Sequence, residues 1–185
     1  MSREGFKLRP KHFSIDHGLF FLTVHCARGV KPFLIDKACQ RYIMVLREKL
    51  DNFKSTLFAY VLMPDHVHLL LQLPENVTLK KLMNHINGAS ARKLNDILET
   101  TGNKLWQGGF YDVYLREPID FAIKINYIHN NPVKAGIVQH PEDYKFSSAR
   151  FYCTLFDSAL FNTKIFSNHT LEAITSQISE ILMSP

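Results

Sequence analysis

The chain holds three cysteines in 185 residues, Cys26, Cys39 and Cys153, and no Cys-x-x-Cys pair. Neither a disulfide framework nor a thiolate zinc site is therefore indicated, and a reducing compartment fits. No apolar run reaches membrane-spanning length, and the start, Met1-Ser2-Arg3-Glu4-Gly5, lacks the apolar core of a signal peptide. Internal repeats and low-complexity linkers are also missing. These absences lead us to expect a soluble cytoplasmic protein built as one domain, with at most an appended tail.

What the sequence does contain is enough for a full core. It is 46% hydrophobic and 21% charged, the composition of an ordinary globular protein. Fourteen Phe and seven Tyr can serve core packing or the stacking of bases. The formal net charge of +5 suits a polyanionic partner without demanding one.

Residues 1–17 read as a basic, irregular arm carrying Arg3, Lys7, Arg9 and Lys11. A first strand is expected over 19–26, rich in aromatic and β-branched residues. Asp36 can cap a helix over 37–51, where Tyr42, Val45, Leu46 and Leu50 recur at helical spacing. Strands follow over 55–63 and 66–73, separated by a Pro64-Asp65 turn. Thr78 can cap a second helix with Leu79, Leu82, Met83 and Ile86 on one face; Gly88 is placed to interrupt it before Leu94, Ile97 and Leu98. A fourth strand spans 105–116 with a bend at Gly108-Gly109. Pro118 suits the first turn of a third helix, which should stop at Asn131 because the residue before Pro132 avoids the α region. Signals beyond Pro141 are weak, with a helix candidate over 171–182. The order predicts an α+β, ferredoxin-like split βαβ fold: a four-stranded antiparallel sheet with helices packed on one face. The domain is expected over 1–150, with 151–185 as a C-terminal extension.

The stretch Tyr60–Pro74 holds two apolar β-prone runs, and the second carries His66 and His68. Side chains alternate along a strand, so the two imidazoles project from one face while Val67 and Leu69 point to the other. Two neutral imidazoles on a rigid strand make half of a metal site. A bare His-x-His is more often a solvated strand face, but this pair is the only polar interruption in an otherwise buried-looking run. On the third helix Tyr127 and Asn131 stand four residues apart and share a face. Alone, Tyr127 reads as an amphipathic side chain at the helix–sheet boundary, and Asn131 as a helix C-cap. His129 lies elsewhere round the helix and reads as a structural or surface histidine.

Three motifs in fixed order carry a resemblance. They are Met63-Pro64-Asp65-His66-Val67-His68; Leu105-Trp106-Gln107 with Phe110-Tyr111-Asp112; and Asn126-Tyr127-Ile128-His129-Asn130-Asn131-Pro132-Val133-Lys134-Ala135-Gly136. Together they closely resemble the single-tyrosine HUH transposases, and among them the REP-associated tyrosine transposase branch, over roughly residues 15–150. The resemblance implies a metal-dependent enzyme that nicks and rejoins single-stranded DNA beside hairpin-forming repeats, and so a nucleoid-associated one. It implies Tyr127 as nucleophile, His66 and His68 as metal ligands, Asn131 in the place of the polar third ligand, and Mg²⁺ or Mn²⁺ as cofactor.

For DNA binding, Arg28 and Lys31 follow strand one, Lys80, Lys81, Arg92 and Lys93 lie on helix two, and Arg116, Lys134 and Arg150 flank the chemical region. Such cations give salt-dependent phosphate contacts, though each alone fits a solvated surface equally well. Trp106 is better placed in the core than in base stacking. Two other functions compete: a non-catalytic single-stranded nucleic-acid-binding module, and a metal-dependent phosphodiesterase that uses water. A monomer with its own Tyr127 in place is expected rather than a homodimer exchanging the tyrosine helix.

Overall fold

In a computed structural model, residues 18–100, 102–116 and 118–155 are described. The expected arm over 1–17 and the helix candidate over 171–182 lie outside them. Four strands, β1 (Gly18–His25), β2 (Thr56–Met63), β3 (His66–Leu73) and β4 (Tyr111–Leu115), form one antiparallel sheet in the order β2-β3-β1-β4. With α1 (Asp36–Asn52) after β1 and α2 (Leu79–Leu98) after β3, this is the ferredoxin-like arrangement expected from the sequence.

Strand alternation gives the central pair β1–β3 two apolar faces. Phe20, Leu22, Val24, Val67, Leu69 and Leu71 are fully buried on one. Helices α1 and α2 cover that face together: Tyr42 of α1 lies against Trp106, whose indole Nε1 donates to Ser90 Oγ of α2 at 3.1 Å. Trp106 is thus a core residue, 6% exposed. The opposite face carries Phe21, Thr23, His66, His68 and Leu70, and α3 (Pro118–Lys134) lies across it, with Phe121 edge-on to Phe58. The helices are thus not all on one face as expected, because this second face is apolar enough to bury the Phe121, Ile125 and Ile128 stripe of α3.

Local structure departs from the sequence expectation at four places, each with a physical reason. Asp36 does not cap α1; Ile35 holds that position, and Asp36 sits in the first turn, bonded to Lys145 Nζ at 2.6 Å. Gly88 does not interrupt α2, because Leu82, Met83, Ile86 and Leu94 bury one continuous stripe on both sides of it. The long fourth strand is split: Trp106 bridges to Cys26, then the chain detours through Gly109 (φ +86°) before β4 begins at Tyr111. Finally, α3 runs through Pro132 to Lys134 instead of stopping at Asn131. It closes two residues later on Gly136 (φ +68°), with Gly136 N–H bonding Val133 O and Ile137 N–H bonding Pro132 O, the paired closure of a Schellman motif. Asn131 is therefore a helix residue, and its side chain is released from the capping role.

Candidate metal and nucleophile site

His25, His66 and His68 come together because β1 and β3 pair in register, His25 with His66 and Thr23 with His68. The His66 and His68 ring centres are 4.8 Å apart, and those of His25 and His66 are 5.2 Å apart. Each histidine expected to bind metal has its Nδ1 engaged by a neighbour. His68 Nδ1 meets Thr23 Oγ1 at 2.9 Å, and His66 Nδ1 meets Asp65 Oδ1 at 2.8 Å. The donor nitrogen left on each ring is Nε2, and partners of this kind fix ring orientation and tautomer.

His68 Nε2 is buried without a hydrogen-bond partner, a condition that costs about 1–3 kcal/mol for an ordinary polar group. Burial pushes the His68 imidazole down to about 3, helped by repulsion from His66 and then His25; the Leu22 backbone and the Asn131 side chain act the other way. The ring is thus a neutral lone-pair donor at working pH. The His25 imidazole is also lowered, first by burial and then by His66, with Asp65 opposing. The Asp65 carboxyl is held below its usual range by its bond to His66.

α3 brings the other half. The Tyr127 ring stands edge-on to His68 at 5.3 Å and to Phe21 at 5.6 Å, while Phe21 stacks on His68 at 5.4 Å. Tyr127 nevertheless keeps 39% of its surface exposed, so a substrate can reach the side chain. Asn131 Nδ2 donates to Tyr127 O at 2.7 Å, which leaves Oδ1 as the free end of the amide, beside His68. Two imidazole Nε2 atoms and one amide oxygen suit a divalent cation, with open positions for oxygen ligands. Among the described residues no group of three or more His, Cys, Asp or Glu side chains is arranged to hold a metal ion, the His25, His66 and His68 cluster included, so a third protein donor would have to come from Asn131.

The structure brings His66, His68, Tyr127 and Asn131 together. Of the expected DNA-binding cations, Lys134 Nζ lies 5.3 Å from the Tyr127 ring centre, and Lys31 is near enough to Asp65 to lower its carboxyl. Arg28 and Arg116 are exposed at the ends of β1 and β4. Arg92 and Lys93 are exposed on α2, in the helix layer across the sheet from Tyr127. His129 is structural: it is buried, bonds Ser148 Oγ through Nε2 at 2.9 Å and packs on Tyr152.

Sequence reasoning passed over four participants. Thr23, Phe21 and His25 become visible only through strand register. Lys124 had a local signal, three residues before Tyr127; its Nζ lies 4.8 Å from the Phe21 ring centre and 5.8 Å from that of Tyr127.

The chain is 29% identical over 140 residues to a Haemophilus influenzae protein assigned to the REP-associated tyrosine transposases, covering 71% of this chain and 79% of that one. It is 25% identical over 146 residues to the REP-associated tyrosine transposase of Escherichia coli, covering 75% and 80%. Its fold is similar to that of a REP-associated tyrosine transposase bound to a REP hairpin, with a TM-score of 0.67 and 22% identity over 80% of this chain and 87% of that one. The family described as "Transposase IS200 like" matches residues 17–131, a span that takes in both paired histidines, Tyr127 and Asn131. The chain belongs to that family and is a transposase.

Proposed function

We propose that the protein nicks and rejoins single-stranded DNA beside repeated palindromic hairpins, in a divalent-metal-dependent reaction that passes through a 5′-phosphotyrosine. The observation that carries this reading is the meeting of Tyr127 with the partnerless Nε2 of His68, beside His66 and Asn131. A pure binding module has no use for a buried imidazole whose Nε2 is left without a partner against a half-open tyrosine. The DNA partner is supported by the relative of the same fold bound to a REP hairpin.

His66 and His68, through Nε2, and Asn131, through Oδ1, would hold Mg²⁺ or Mn²⁺. When bound, such an ion supplies charge neutralisation at a phosphodiester oxygen. Phe21 and His68 wall the Tyr127 ring on the sheet side and limit the directions its hydroxyl can take. The Tyr127 oxygen attacks phosphorus and gives up its proton, the bond from phosphorus to the 3′ oxygen breaks, and that oxygen takes up a proton as a free 3′-OH. Attack by a 3′-OH on the phosphotyrosine reverses the step, and no ATP is needed because the ester bond is retained. We take a monomer, with Tyr127 and His68 of one chain, as the working unit.

The test is incubation of the protein with end-labelled hairpin oligonucleotides in Mg²⁺ or Mn²⁺, resolved under denaturing conditions. The expected product is protein covalently attached to the DNA 3′ of the nick, absent with Tyr127→Phe and with His68→Ala. Cleavage without adduct, retained in Tyr127→Phe, would assign a phosphodiesterase that uses water. Binding without cleavage in either metal would assign a recognition module.

A further inference from the structure

Helix α3 presents two stripes of different character. Phe121, Ile125 and Ile128 are buried at 3%, 1% and 0% exposure, with Pro132 continuing the row. On the other stripe stand Lys124, Tyr127, Asn131 and Lys134, spaced three, four and three residues, so they share one face. The two lysines bracket the nucleophile. Lys124 Nζ lies over both the Phe21 and Tyr127 rings, at 4.8 and 5.8 Å from their centres, and Lys134 Nζ lies 5.3 Å from the Tyr127 centre. Among the described residues no carboxylate lies within ion-pair distance of either ammonium. Aromatic faces attract cations and here hold both heads beside the reactive ring, but they bring no neutralising charge.

We infer that Lys124 and Lys134 are phosphate-positioning residues that grip the single strand on either side of the scissile phosphate, so that its backbone runs along α3. This rests on the functional reading above and adds the path of the strand. The lysines stand ten positions apart, which spans about 15 Å of helix axis, long enough for more than one phosphate with Tyr127 between. A strand laid this way supplies the missing negative charge and brings one phosphodiester to Tyr127 and His68. It also makes Lys124, in no expected set, an equal partner of Lys134.

The strand path can be read without catalysis. In the Tyr127→Phe background, affinity for a single-stranded hairpin-flank oligonucleotide is measured by anisotropy against salt, with Lys124→Gln and Lys134→Gln added singly. Each lysine that holds a phosphate should lower the slope of log affinity against log salt by about 0.7, a loss of about fivefold for each tenfold dilution of salt that wild type gains. Replacing single phosphates with neutral methylphosphonates should weaken binding at one position for each lysine, and that penalty should vanish in the matching variant. Lys124→Arg should restore the slope. A slope unchanged in both variants while the parent still binds, with only the unfolding midpoint lowered, would overturn the strand path and leave the lysines as packing residues. A parent that does not bind single-stranded DNA at all would overturn the functional reading, and the path with it.

Discussion

Thr23 and His68 stand 45 residues apart in sequence and meet at 2.9 Å only because β1 and β3 pair antiparallel. The hydroxyl sets which imidazole nitrogen faces the site, and its loss should be felt as lost metal affinity. Thr23→Val keeps the shape and removes the hydroxyl. We expect apparent Mn²⁺ affinity, measured by calorimetric titration, to fall about 10- to 100-fold, the usual cost of losing a partner of a ligating histidine. Stability should fall by about 1–3 kcal/mol, since His68 Nδ1 loses its hydroxyl partner. Unchanged Mn²⁺ affinity would reduce Thr23 to a packing residue. The same residue marks where the sequence stops being informative. His66 with His68, and Tyr127 with Asn131, could be read because each pair lies within one element and obeys its period. Thr23, Phe21 and His25 need a cross-strand register that no local pattern states. Lys124 was within reach of the helical period, but a lysine three residues before a tyrosine is an ordinary solvated-face pattern without its ring contacts.

Glycines test the helices with opposite signs. Gly88 lies inside α2 at an exposed position where an added Cβ would meet nothing within 4 Å. Gly88→Ala should therefore stabilise the fold by about 0.5–1 kcal/mol through backbone entropy alone. Gly136 also has open space around it, but its φ of +68° ends α3 in the left-handed region. Gly136→Ala should cost about 1–2 kcal/mol, and it should weaken the turn that presents Lys134. Denaturant midpoints at constant slope would register both; a loss at Gly88 would mean that α2 needs local give at its centre. These two positions also explain the element-level misreadings. A glycine and a proline read as stops in the sequence because their local costs are real. Tertiary burial of Leu82, Met83, Ile86 and Leu94 outweighs the first. The second falls in the last turns of α3, where the Gly136 closure takes over the final carbonyls.

The segment after α3 ties the layers together in a way the weak sequence signals beyond Pro141 did not announce. Phe146–Ser148 lies along the β2 edge: Leu62 N–H bonds Phe146 O, Ser148 N–H bonds Tyr60 O, and Ser148 Oγ also meets His129 of α3. The hydroxyls of Tyr144 and Tyr152 donate to the β2 carbonyls of Leu62 and Phe58. The β2 edge is thereby paired, and helices lie over both sheet faces. Weak acids are consequently trapped on both sides. Burial raises the Cys26 and Cys39 thiols from 9.0 to about 12 and the Tyr60 and Tyr144 phenols from 10.0 to about 12, and it raises Tyr42 and Tyr152 further still. These are acids whose folded values lie above their unfolded ones, so above pH 9 the unfolded chain binds fewer protons than the native one. Stability must then fall as pH rises, beginning near 9.0 and continuing toward about 12. Because the groups sit in the α1–α2 layer, in β2 and in the β2-edge segment, they should ionise with global unfolding rather than one by one. Denaturant midpoints taken from about pH 8 upward should decline steadily, and phenolate absorbance from the buried tyrosines should rise in one step with loss of far-ultraviolet dichroism. Phenolate signal from Tyr60 or Tyr144 appearing while the sheet remains intact would show that the β2 edge opens separately from the core. The segment after α3 would then be an independent clasp on β2.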